Sequence, residues 1–160
     1  IDIADLSLQP FAKVQNDIVQ ALNSPDPHQR YWGLIVCSCF GEQASSLVER
    51  AQQLTRDENL LVRTRAAEFL GLIGKQDPRP TIMESLTLSE SGIQTNLILN
   101  SAVLLQDGQP GYDFQISRQS VHPEALKVQD VRRRLAYFAA PDGIPKNPQG
   151  IESSKSAKSK

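Results

Sequence analysis

Two histidines, two cysteines and scattered carboxylates are the residues in this 160-residue chain whose types could support catalysis. A nucleophilic site would need Cys37 or a serine within hydrogen-bond reach of His28 or His122, with a carboxylate orienting the imidazole. Both histidines stand beside prolines, Pro27 and Pro123, at expected helix starts, and no spacing links either to a nucleophile. Cys37 and Cys39 lie two positions apart, which on a helix turns them about 200° from each other. They are expected as free thiols packed as small hydrophobes, and a buried thiol is normally inert. A metal site would need three or four convergent ligands. Asp107 and Asp113 supply two oxygens, and Gly108, Pro110 and Gly111 between them already explain a turn. The expectation is therefore no catalytic residue, no metal and no cofactor.

Binding chemistry is sparse as well. Arg132, Arg133 and Arg134, with Lys127 and Arg118, form the densest basic cluster. Three consecutive helical arginines fan over about 200°, so they read as a solvated face partnered by Asp130 or Glu124 rather than as a site for one anion. Tyr31 and Trp32 could stack on a sugar or a base, but their neighbours Leu34, Ile35 and Val36 assign them to the core. Tyr112 and Phe114 follow a Gly/Pro turn with no local helix to bury them, which makes them the expected contacts for a partner.

Lys plus Arg is 17 and Asp plus Glu is 18, so the net charge of −1 leaves no broad cationic footprint for nucleic acid or anionic lipid. Hydrophobic residues at 39% and charged residues at 22% place the chain among globular domains. The longest nearly apolar stretch, residues 33–40, is interrupted by Ser38 and falls far short of the roughly 20 residues that span a bilayer. The chain opens on Ile1, and residues 1–10 lack the charged start and apolar core of a secretory signal, so it reads as a processed product or a piece of something longer.

The elements that must position these residues recur. Arg30-Tyr-Trp-Gly-Leu-Ile-Val-Cys-Ser-Cys-Phe-Gly41 is echoed by Arg63-Thr-Arg-Ala-Ala-Glu-Phe-Leu-Gly-Leu-Ile-Gly74, and a weaker copy ends at Gly108 after Leu97-Ile-Leu-Asn-Ser-Ala-Val-Leu-Leu105. Between the copies, amphipathic segments end in Leu22, Leu54 and Leu86. Phe11, Val14, Ile18 and Leu22 recur at steps of three and four, as do Ala44, Leu47, Val48, Ala51 and Leu54, so these are half-buried outer helices. The runs that include residues 31–40, 62–73 and 97–105 are apolar on most sides, as inner helices are. With prolines opening and glycines closing the segments, six helices are expected, at residues 11–23, 27–40, 43–56, 60–73, 78–88 and 92–106. A seventh, weakly amphipathic helix is expected at residues 123–137, after a briefly alternating stretch around Phe114.

A period of 32 to 34 residues built of helix pairs resembles the HEAT-like helical repeats. In that family an Asp or similar polar residue stands six positions before an Arg at the inner helix, and successive pairs build a polar ladder. The resemblance implies such rungs at Asp57 with Arg63 and at Ser24 with Arg30, with Asp26 able to substitute for the uncharged Ser24. The third copy carries Leu97 at the Arg position, which would end the ladder. The stretches Ala21-Leu-Asn-Ser-Pro-Asp-Pro-His-Gln-Arg-Tyr-Trp-Gly33 and Leu61-Val-Arg-Thr-Arg-Ala-Ala-Glu-Phe-Leu-Gly71 are similar to the HEAT-like C-terminal region of bacterial sulfatases of the heparan N-sulfatase-like type. Those enzymes use a Cys or Ser in Cys/Ser-x-Pro-x-Arg, and neither Cys37, Cys39 nor any Ser here completes that pattern. The resemblance therefore implies a non-catalytic tail whose catalytic domain lies elsewhere.

The fold expected is all-α: a short HEAT/armadillo-like solenoid of about three helix pairs at residues 1–108, a capping loop and helix at residues 109–140, and a disordered tail at residues 141–160. Ile35, Val36, Phe69, Leu70, Leu72, Val103 and Leu104 are its expected core. The expected partner is a sulfatase catalytic domain in cis, which implies a periplasmic or secreted setting, whereas free thiols would suit the cytosol. The competing expectation is a free-standing interaction module that binds a protein.

Overall fold

The computed structural model describes residues 3–108 and 111–139, and every regular element among them is helical. Seven α-helices follow in order: α1 (Phe11–Leu22), α2 (Pro27–Phe40), α3 (Val48–Leu54), α4 (Leu60–Leu72), α5 (Arg79–Leu88), α6 (Gly92–Asp107) and α7 (Gln129–Ala139). The tail expected at residues 141–160 lies outside the described residues.

Helix boundaries follow local chemistry. At α2 the Asp26 carboxylate accepts the His28 amide at 2.9 Å, and Pro27 fills the first position, where its missing N–H leaves nothing unsatisfied. Asn59 accepts from the amides of Leu61 and Val62 at the start of α4, and Ser91 accepts from Gln94 at the start of α6. After α4 the chain reverses through Gly74 at φ 65°, which lets the Lys75 amide reach the Leu70 carbonyl at 2.8 Å.

The third expected helix is divided. Residues Gly41–Leu47 wind as a 3₁₀ segment before α3 begins. Side chains three apart eclipse in a 3₁₀ helix, so Ala44 and Leu47 both face the core there, while Ser45 and Ser46 stay exposed. The last helix also starts later than residue 123, because a short 3₁₀ turn, Ala125–Lys127, precedes α7. Two further 3₁₀ segments are Arg118–Ser120 and Ile3–Leu8, and the latter buries Leu6 against the first core.

α1 packs on α2, α2 and α3 on α4, α4 on α5 and α6, and α6 on α7. Contacts near matching ends set α2, α4, α6 and α7 running in the same sense. Arg30 meets Asp57 just ahead of α4, Gly71 meets Leu105, and a Cβ on Gly92 would overlap Val128 just ahead of α7. Two apolar clusters result. Val14, Ile18, Leu34, Cys37, Leu54, Val62 and Phe69 belong to the first, and Ile82, Leu86, Ile98, Leu99, Phe114, Val131 and Leu135 to the second.

Of the expected core, Val36, Phe69 and Leu70 are buried, whereas Ile35, Leu72 and Val103 are half-buried and Leu104 is 47% exposed. Trp32 is a second correction, being 44% exposed. The cause is rotational: in a run apolar on most sides, only the positions turned toward a packed neighbour are covered. Cys39 is likewise exposed, and only Cys37 packs as a small hydrophobe.

Candidate functional site: a donor ladder and an open helix face

Arg30, Arg63 and Thr95 are each the fourth residue of their helices, α2, α4 and α6, and Arg132 is the fourth residue of α7. Each sends a side-chain donor back to the carbonyl six residues earlier. Arg30 Nη1 donates to the carbonyls of Ser24 at 2.8 Å and Pro25 at 2.9 Å. Arg63 Nε donates to the Asp57 carbonyl, and the Thr95 hydroxyl to the Ser89 carbonyl at 3.1 Å. Arg132 Nη1 repeats the Arg30 geometry on Leu126 and Lys127 at 2.8 and 2.7 Å. The shared physical task is to satisfy carbonyls in the turn that leads into each helix, where backbone partners are missing.

The carboxylate that the sequence assigned to Arg63 belongs to Arg30. Asp57 accepts from Arg30 Nε at 2.8 Å and Nη2 at 3.0 Å, and also from the Asn59 amide at 2.9 Å. Both side chains of the pair are about nine-tenths buried. Arg63 instead faces Glu84 at 3.7 Å, near the surface. The spacing of six was legible in the sequence, but it marks a backbone acceptor, and the carboxylate bond crosses from one helix pair to the next. Ser24 contributes its carbonyl rather than its hydroxyl, and Asp26 caps α2 instead of substituting in the ladder. The expectation that the donors end at Leu97 came from the wrong alignment: the residue at the equivalent helix step is Thr95, which is fully buried and donates.

A second polar group joins α2 to α4. Glu68, buried in α4, accepts from Arg65 at 2.6 Å, and Arg65 also reaches the Tyr31 hydroxyl at 3.2 Å and lies over its ring. Burial opposes the charge on Arg65, but the pull of Glu68 and Tyr31 outweighs it and raises the guanidinium pKa. Sequence reasoning passed over this pair, although an Arg and a Glu three apart inside an apolar run are the signal for it.

Trp32 on α2 and Ile93 and Leu104 on α6 are exposed and Ile35 and Leu97 half-buried, whereas on α4 Glu68 is buried and Arg65 and Leu72 are half-buried. Trp32 and Leu104 are about half exposed, and Ile93 is 77% exposed. Exposed apolar groups thus stand on α2 and α6, and α4, which packs against both, carries the largely buried Arg65–Glu68 pair. By contrast Phe114, expected as a partner contact, is buried in the second cluster, and Tyr112 packs beside it and donates to the Gly71 carbonyl at 3.1 Å. Burial alternates along Tyr112, Phe114 and Ile116 at the period-two spacing the sequence displays, and this extended stretch needs no helix of its own because the existing helices cover it.

The remaining reactive groups stay apart. Burial pushes the Cys37 thiol from 9.0 up to about 12, which keeps it protonated and unreactive near neutrality. His122 faces Glu90 at 3.9 Å, and His28 lies beside Asp26. Asp107 accepts the Tyr137 hydroxyl, so it is committed to holding α7, and burial followed by that bond raises the Tyr137 phenol. Lys127 pairs with Glu124 and Arg133 with Asp130, while Arg132 turns to backbone. Among the described residues no group of three His, Cys, Asp or Glu could hold a metal ion, and no helix is long and apolar enough to cross a membrane. A cleft of about 340 Å³ lined by Ile3, Leu6, Asp17, Gln20, Ala21 and Gln29 gathers no such chemistry. No protein-family profile, curated protein or solved structure matches this chain.

Proposed function

We propose that this chain is a non-catalytic HEAT-like scaffold that docks a protein partner on the exposed apolar residues of α2 and α6. Support for the repeat reading comes from helix starts at residues 27, 60 and 92 and from a backbone-directed donor at the same step of each helix. α7 carries that donor too and closes the stack with an outer side of Arg132, Arg133 and Ala136.

The observation that carries the docking reading is Trp32. Within Arg30-Tyr31-Trp32-Gly33, Arg30 holds Asp57, Tyr31 packs against Arg65, and Gly33 lets α1 approach, since a Cβ there would lie 3.1 Å from Leu22 Cδ2. Trp32 meets the Tyr31 ring edge-on at 5.8 Å and is otherwise 44% exposed to solvent. Exposed aromatic anchors of this kind dominate protein interfaces.

The resemblance to the C-terminal region of bacterial sulfatases makes a sulfatase catalytic domain in cis the partner proposed, with export as the corollary. The reading frame upstream of Ile1 is then expected to encode a domain with Cys/Ser-x-Pro-x-Arg. That domain, produced as a separate polypeptide, should bind the present chain, and Trp32→Asp should abolish the complex without altering the far-UV circular dichroism. Absence of such a domain would remove the sulfatase and leave the free-standing module; retention of the complex by Trp32→Asp would remove the docking side. Sulfatase or esterase turnover by the isolated chain would overturn the non-catalytic reading.

A further inference from the structure

Between α6 and α7 the chain crosses the second core as a single extended strand. Tyr112, Phe114 and Ile116 turn inward, while Asp113, Gln115 and Ser117 are exposed. The Tyr112 amide donates to the Leu105 carbonyl at 3.0 Å and the Phe114 amide to the Gln106 side chain at 3.3 Å, which ties one edge of the strand to α6. Successive backbone groups of extended chain point to opposite edges, so the N–H and C=O of Asp113 and Gln115 form the other edge. Among the described residues no hydrogen bond engages these groups, and only at Ser117 is the edge closed, by the Ser120 hydroxyl at 3.2 Å.

Unpaired edges invite another strand, and proteins blunt them with proline, lysine or a covering element. Residues 111–117 contain neither proline nor lysine. Asp113 is the one charged residue among them, and Gln115 Nε2 donates to it at 2.8 Å. The Arg79 guanidinium, which also acts on Asp113, is already held bidentately by Asp77. The Asp113 carboxylate is therefore left to a cation from outside.

We propose that this edge takes up an extended peptide segment of a protein partner as an added antiparallel β-strand, with a lysine or arginine of that segment opposite Asp113. Backbone pairing at Asp113 and Gln115 supplies the hold, as in other strand-addition complexes, and the carboxylate sets the register. This contact does not depend on docking at Trp32 and gives the scaffold a second point of attachment.

The probe is the peptide acetyl-Thr-Val-Lys-Val-Thr-amide, titrated to millimolar concentration into the full 160-residue chain and followed by amide NMR. With lysine opposite Asp113, the lysine amide faces the edge and both valine amides face away. The peptide is expected to shift the Asp113 and Gln115 amide signals and slow their exchange with solvent. N-methylation at the lysine should weaken binding about tenfold, as loss of one hydrogen bond does, whereas N-methylation at the first valine should leave it unchanged. Gln115→Pro keeps an extended backbone without the edge donor and should weaken binding to the same degree. Absence of shifts with the unmodified peptide, or equal binding by the two methylated copies, would overturn the proposal without any change to the protein. Equal binding by a peptide with glutamate for lysine would overturn the choice of a basic partner. Shifts that arise on concentrating the chain alone would assign the edge to a second copy and overturn it as well.

Discussion

Arg30 and Arg132 stand at the same step of their helices and grip carbonyls five and six residues back, yet their settings differ. Arg30 is 8% exposed and holds a buried carboxylate, whereas Arg132 lies in solvent and touches backbone alone. The difference separates two tasks that the sequence presented as one. Closing the turn before a helix needs a donor of suitable reach, which Arg or Thr can supply. Tying one helix pair to the next needs a carboxylate on the neighbouring turn, and Asp57 alone supplies it among the four rungs described here.

Substitutions along the rungs can break that separation. Arg30→Ala strands the Asp57 carboxylate in a nearly dry site and removes the carbonyl contacts to Ser24 and Pro25, so we expect a loss of about 3–5 kcal/mol in urea unfolding. Thr95→Val keeps shape but leaves the buried Ser89 carbonyl without its hydroxyl donor, for an expected loss of about 1–3 kcal/mol. Arg63→Ala removes one hydrogen bond and a loose surface ion pair, with about 1 kcal/mol expected. Arg132→Ala should stay within about 0.5 kcal/mol in the same measurement, as exposed positions do. A loss for Arg63→Ala as large as that for Arg30→Ala would return the Asp57 carboxylate to Arg63 and collapse the distinction.

Much of the helical plan was legible because periodicity and punctuation are local. α2 has the bounds its prolines and glycine imply, and α4 and α6 differ from expectation by a residue at one end. What was not legible depended on rotation and on distant chain. Trp32 and Leu104 sit in the same apolar runs as Val36 and Leu70, and nothing in a run nearly apolar all round tells which side a neighbouring helix will cover. Phe114 lacked a helix nearby in sequence, but α5 and α6 were already waiting to bury it. The third donor was missed for a related reason. Aligning hydrophobic runs set Leu97 against Arg63, whereas counting from the Ser91 cap would have found Thr95.

α4 contributes Val62, Phe69 and Leu70 to one apolar cluster and Ala67 to the other, so the same helix is the back wall of both rooms. Neither half of the molecule can then melt while its neighbour stays intact, since losing the wall opens both interiors together. A nick at the Gly74 reversal would leave the C-terminal fragment without that wall, and it should hold together only while the N-terminal piece remains bound.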